Sequence, residues 1–168
     1  MKVATWNINS VRRRLPLVVQ WLAANQPDVL CLQETKVQDS EFPVDAFRDA
    51  GYYATFRGMK SYNGVATLTR REPESVLHGL CEGPDSEDVR IVETVIDGIP
   101  IVNTYVPQGY KIGTDRYVFK LEWFHRLRRY FSERAVLGPP YRRGIKTRGT
   151  GCTDSQFWLF RGRRYRAI

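Results

Sequence analysis

The stretch VLCLQETK, residues 29–36, constrains the fold more than any other part of the chain. Val29, Leu30, Cys31 and Leu32 form a short apolar run after the turn-like Gln26-Pro27-Asp28, which reads as a strand buried on both faces. The run stops abruptly on Glu34. A charged residue at a strand end ordinarily just reaches solvent. At the C-terminal edge of a sheet, where α/β folds place their ligands, the same carboxylate is a candidate for chemistry.

The residues before it supply a partner strand. Lys2 to Ile8 reads as a first strand, and Leu15, Val18, Val19 and Leu22 then recur at helical spacing, with Pro16 tolerable in a first turn and Asn9 or Ser10 near the start. A β-α-β opening makes the two strands parallel neighbours, so Asn7 and Glu34 lie at the same end. Further on, Phe42 to Ala50 suggests a short helix, while Tyr52 to Arg57 and Val65 to Thr69 suggest strands joined through the turn in YNGV, residues 62–65. Val89 to Ile96 and Ile99 to Val106 are β-rich runs joined by Asp97-Gly98, the strongest short hairpin signal present. Asp115 to Glu133 spaces Tyr117, Leu121, Phe124, Leu127 and Phe131 as one face of a helix. These elements make a mixed α/β domain with antiparallel parts.

A chain of 168 residues suits one domain with a real core. Nothing at its start resembles a signal peptide, and no stretch approaches the roughly 20 apolar residues of a membrane span. Cys31, Cys81 and Cys152 are odd in number and far apart, which fits neither a disulfide framework nor a zinc site, so a reducing cytoplasm is expected. The net charge of +8 is unevenly spread: residues 1–134 hold 18 basic and 17 acidic residues, and residues 135–168 hold eight basic residues and one acid. That second segment is rich in Gly and Arg and keeps no period of either 2 or 3.6, so the composition marks a boundary at residue 134.

Asn7, Glu34 and Tyr105 therefore stand at or near strand ends. A carboxylate beside an amide oxygen suits a hard cation such as Mg2+, which needs only one or two carboxylates when phosphate and water complete its shell. A tyrosine hydroxyl can bond a phosphate oxygen or orient an attacking water. MKVATWNINSVR, QPDVLCLQETK, YNGVATLTR and VNTYVPQG, in this order, resemble the N-terminal part of the exonuclease III family of DNA repair nucleases, within the endonuclease/exonuclease/phosphatase superfamily. The resemblance covers residues 1–134. It implies a two-sheet α/β sandwich, incomplete here, with a site dependent on Mg2+ or Mn2+ that hydrolyses phosphodiester bonds of duplex DNA at abasic sites and 3′ ends. By the same resemblance Glu34 and Asn7 belong to the metal site, Tyr105 contacts the scissile phosphate, and Asn103 and Gln108 lie near the site or the DNA. Arg12, Arg13 and Arg14 read as a solvated helix start, and Asn9 and Lys36 carry no assigned chemistry. The expected partner is double-stranded DNA, bound by a monomer and without a membrane.

The resemblance also implies a later Gly-Asp-x-Asn segment and a Ser-Asp-His segment, and neither occurs in this sequence. His78 and His125 follow Leu77 and Phe124 and read as strand-edge and helix-surface residues. Without those acid-base groups the chain is expected to be inactive alone, and residues 135–168 read as a basic irregular tail translated out of frame. Two alternatives stand beside this reading: a superfamily phosphodiesterase with a non-DNA substrate, and a non-catalytic nucleic-acid binder that uses the tail.

Overall fold

A computed structural model describes residues 1–80 and 88–136. Along the chain come β1 (Val3–Asn7), α1 (Val11–Asn25), β2 (Val29–Gln33), α2 (Val44–Asp49), β3 (Tyr53–Arg57), β4 (Val65–Thr69), β5 (Ser75–His78), β6 (Ile91–Ile96), β7 (Ile99–Thr104) and α3 (Asp115–Val136). The strands form a four-stranded sheet in the order β1-β2-β4-β3 and a three-stranded sheet in the order β5-β6-β7. The two-sheet α/β sandwich expected from the sequence is thus the architecture observed.

The β-α-β opening closes as a parallel pair, with Val3 opposite Val29 and Asn7 opposite Gln33. Because strand side chains alternate between faces, β2 serves two cores at once. Leu30 and Leu32 join Val18, Leu22 and Phe47 under the helices α1 and α2. Val29 and Cys31 face the other way and meet Ile101 of the second sheet. On that sheet's outer face Ile91 and Val106 pack against Trp123, Leu127 and Tyr130 of α3. The layers are therefore helices, sheet, sheet, helix, with a core in each gap.

Several expectations change on contact with the structure. The helix α1 begins at Val11, so Pro16 falls in its second turn, where its missing N–H removes one helical bond. Pro16 is exposed there, as is Arg12, the residue whose carbonyl it leaves without that bond. Neither Asn9 nor Ser10 caps the helix by its side chain. Instead the Ser10 and Val11 N–H groups donate to the Glu34 and Thr35 carbonyls at 2.7 and 3.0 Å. The segment 62–65 does not make a tight turn, because β3 and β4 pair from Arg57 opposite Val65 and leave residues 58–64 as a loop. Asp97-Gly98 does join its strands directly, with Ile96 opposite Ile99 and positive φ at both turn residues.

The strand β5 was not expected. Three of its four residues are exposed, so its sequence carries no burial pattern. The buried stripe of α3 runs through Trp123, Leu127 and Tyr130, which pack on Ile91 and Val106, and Leu121 is exposed. The helix continues to Val136 and so crosses the compositional boundary at residue 134. Residues 137–168, which hold Cys152 and nearly all of the basic tail, lie outside the described residues, as does Cys81. Among the described residues no helix is long and apolar enough to cross a membrane.

Candidate active site

Three strand ends converge. Asn7 closes β1, Glu34 follows the last residue of β2, and Tyr105 follows the last residue of β7 in the other sheet. To hold Glu34 beside Asn7 the chain must turn sharply at the end of β2, and it does so through backbone that side chains disfavour. Asn9, Ser10, Glu34 and Lys36 all have positive φ, at 44, 97, 55 and 53°. Non-glycine residues held in this way cost about 1–3 kcal/mol each and persist only where the surroundings over-determine them. Here the bonds from Ser10 and Val11 to the Glu34 and Thr35 carbonyls do so, together with Thr35 N–H to the Gly64 carbonyl at 3.2 Å and Lys36 N–H to the Asn63 carbonyl at 2.9 Å. A Cβ on Gly64 would lie 2.1 Å from Thr35 Oγ1, so glycine is what lets the 58–64 loop close against this turn.

The Glu34 carboxylate is the centre of the arrangement. Asn7 Nδ2 donates to its Oε1 at 2.8 Å, and Lys36 Nζ stands 3.0 Å from its Oε2. The Tyr105 hydroxyl also donates to this carboxylate. Asn9 completes the ring: its N–H donates to Asn7 Oδ1 at 3.2 Å, and its own Oδ1 accepts from Lys36 Nζ at 2.5 Å. Burial by itself would raise the Glu34 pKa. The bonds from Asn7, Lys36 and Tyr105 and the charge of Lys36 outweigh it and hold the carboxyl below its ordinary value. Tyr105 moves the other way. Burial and the adjacent Glu34 carboxylate push its phenol up to about 12, against a smaller opposing effect of Arg90, so at neutral pH it is a donor.

Asn103 and Gln108 fall on opposite sides of the protein surface. Gln108 is exposed just beyond Tyr105. Asn103 is 2% exposed, and its amide is engaged inside the protein. Its Oδ1 accepts from Gln33 Nε2 at 2.8 Å, while its Nδ2 faces the Leu32 and Ala66 carbonyls at 3.2 and 2.9 Å and Thr67 Oγ1 at 3.3 Å. It ties β7 to β2 and β4 across the sandwich. The reading of the sequence left Lys36 and Asn9 without a role and did not single out Gln33. Lys36 alone left a signal, a cation two residues from an isolated carboxylate. The expected surface role of the arginines holds in part, since Arg12 pairs with Glu41 at 2.6 Å and Arg14 donates to the Asn9 carbonyl at 3.2 Å.

As a metal site the cluster offers oxygen donors and an ionised carboxylate, 19% exposed, which suits a hard divalent cation. Asn7 turns its nitrogen to Glu34 and its oxygen to the Asn9 N–H, so in this arrangement it orients the Glu34 carboxylate. Among the described residues no group of three or more His, Cys, Asp or Glu side chains gathers, and Glu34 is the carboxylate available here.

A model described as the endonuclease/exonuclease/phosphatase family matches residues 4–157. Exodeoxyribonuclease III of Haemophilus influenzae is 35% identical over 113 residues, covering 65% of this chain and 42% of that protein. Among solved structures, an AP endonuclease from Archaeoglobus fulgidus superposes with a TM-score of 0.75 at 47% identity, covering 79% of this chain and 52% of that one. A 3′ phosphatase from Neisseria, solved with a product DNA hairpin, superposes with a TM-score of 0.77 at 35% identity, covering 81% of this chain and 53% of that one. The chain thus spans about half the length of the relatives it matches.

Proposed function

Because the chain belongs to the endonuclease/exonuclease/phosphatase family, we propose that it carries the metal-binding and phosphate-contacting half of an exonuclease III type DNA repair nuclease. The substrate is duplex DNA with abasic sites or 3′ ends, bound by one copy of the chain, and the cofactor is Mg2+ or Mn2+. The observation that carries this reading is the Glu34 carboxylate, held by Asn7 and Lys36 from its own sheet and by Tyr105 from the other.

Each residue then has a task. Glu34 holds the cation, and Asn7 fixes the direction in which its carboxylate points. The bound cation supplies neutralisation of charge on the transferring phosphoryl group. Tyr105 keeps its proton at any working pH and donates it in a hydrogen bond to a phosphate oxygen. Gln108, exposed beside it, faces the DNA, and Asn103 holds β7 in register so that Tyr105 reaches Glu34. An oriented nucleophile is also required for in-line displacement. The Gly-Asp-x-Asn and Ser-Asp-His segments, to which the resemblance assigns the acid-base work, do not occur in this sequence. Acid-base assistance is worth about 100- to 10,000-fold, so the chain alone binds without measurable cutting.

The test joins residues 1–134 to the complementary half of the Archaeoglobus fulgidus AP endonuclease. The chimera is expected to incise an abasic-site duplex in Mg2+, to stop in EDTA, and to lose activity on Glu34→Gln. A chimera that is folded by circular dichroism yet inert in both Mg2+ and Mn2+ refutes the proposal. The excess of basic residues after residue 134 favours a second reading, a nucleic-acid-binding arm. It requires steeply salt-dependent DNA binding that disappears when residues 135–168 are removed.

A further inference from the structure

From the geometry around Glu34 we infer that Lys36 is a built-in counter-ion of this carboxylate, one that a divalent cation must displace in order to bind. The inference rests on Glu34 being the metal ligand. It adds that the site is charge-compensated before any metal arrives and that the compensating group sets the metal affinity.

Both oxygens of Glu34 already have partners. Oε1 accepts from Asn7 at 2.8 Å, and Oε2 lies 3.0 Å from the Lys36 ammonium. A hard divalent cation binds a carboxylate oxygen at about 2.0–2.1 Å. Placed on Oε2, it would share that oxygen with an ammonium, and two positive charges at such separation repel strongly in a partly buried site. One of them must leave.

Lys36 is built to be the one. Its backbone is anchored without help from its side chain, by Lys36 N–H to the Asn63 carbonyl at 2.9 Å. Its side chain is 31% exposed on a flexible stem, so the ammonium can swing toward solvent while the turn stays in place. Asn9 Oδ1, at 2.5 Å, gives it a second partner outside the carboxylate and steadies it in the metal-free state. Asn7 needs no such movement, because it approaches the opposite oxygen. In the metal-free protein Lys36 therefore keeps Glu34 ionised and aimed, and it raises the metal concentration needed to fill the site. It is a positioning residue, with no contact to reacting atoms required of it.

The test is Mn2+ binding to the 168-residue chain, followed by electron paramagnetic resonance at one fixed neutral pH. Lys36→Met keeps the length of the stem and removes the charge, and it is expected to tighten Mn2+ about 5-fold or more. Glu34→Gln should abolish binding in either background. Unchanged or weaker binding by Lys36→Met, with Glu34→Gln still abolishing it, overturns the counter-ion role and leaves the metal site standing. Indifference to Glu34→Gln overturns both. A second measurement needs no variant: in wild-type protein the NMR signals of the Lys36 side chain should shift on Mg2+ titration and saturate together with metal binding. A Lys36 signal that stays still while Mg2+ binds refutes the displacement.

Discussion

Replacing Asn103 by alanine separates a structural clamp from a ligand contact. The Asn103 amide presents one acceptor and two N–H donors, and around it stand Gln33 Nε2, the Leu32 and Ala66 carbonyls and Thr67 Oγ1, all within 3.3 Å. Two donors serve only two of the three acceptors at once, so three hydrogen bonds are lost. At about 1 kcal/mol net each, Asn103→Ala costs about 3 kcal/mol. Gln33 Nε2 keeps its bond to Thr5 Oγ1 at 3.0 Å, which prevents a larger penalty from an orphaned donor. With a urea slope of about 2 kcal/mol per molar, the unfolding midpoint should fall by about 1.5 M. Asn103→Asp should fall further although it has nearly the same shape, because a carboxyl oxygen then faces the Leu32 and Ala66 carbonyls where a donor stood. Tryptophan fluorescence in a urea titration reads both. A midpoint within about 0.3 M of wild type, combined with weakened DNA binding, would refute the clamp and return Asn103 to the DNA-contacting set.

Gly64→Ala combines a positive φ of 86° with a Cβ 2.1 Å from Thr35 Oγ1, whereas Gly98→Ala has φ 68° and nothing within 4 Å. The first is expected to cost about 2–4 kcal/mol and the second about 1–2 kcal/mol in thermal or urea unfolding, and equal losses would show that the Thr35 contact does not matter. Tyr105 gives a pH dependence. Its phenol ionises at about 12 in the folded chain against an ordinary 10.0, so above pH 10 the unfolded chain sheds the proton first. The stability it contributes is complete below pH 10 and is lost as pH rises toward 12, and Tyr105→Phe in EDTA should flatten that part of the profile. Identical slopes for the two proteins would rule the linkage out.

Much of the framework was legible because it is written locally. Val65 to Thr69 is a strand with the bounds its sequence suggests, and Asp97-Gly98 makes its hairpin because two adjacent residues suffice to specify that turn. Val29 to Leu32 announced a strand buried on both faces, and the β-α-β connection then left few choices for Asn7 and Glu34. The less legible elements share one property, that their state depends on residues far along the chain. The strand β5 is exposed and exists through its pairing with β6. The buried stripe of α3 is chosen by the sheet it covers.

The same division runs through the site. Local signals are enough to say that a carboxylate ends a buried strand, that an asparagine ends the neighbouring one, and that a tyrosine follows a hairpin, because strand, turn and crossover patterns each span a few residues. It takes the folded chain to bring Tyr105 of one sheet to Glu34 of the other, to turn Lys36 back through left-handed backbone onto the same carboxylate, and to point Asn103 inward. Those outcomes depend on how two sheets stack and where each side chain falls in the gap, and packing across 70 residues of sequence leaves no periodic trace in either strand.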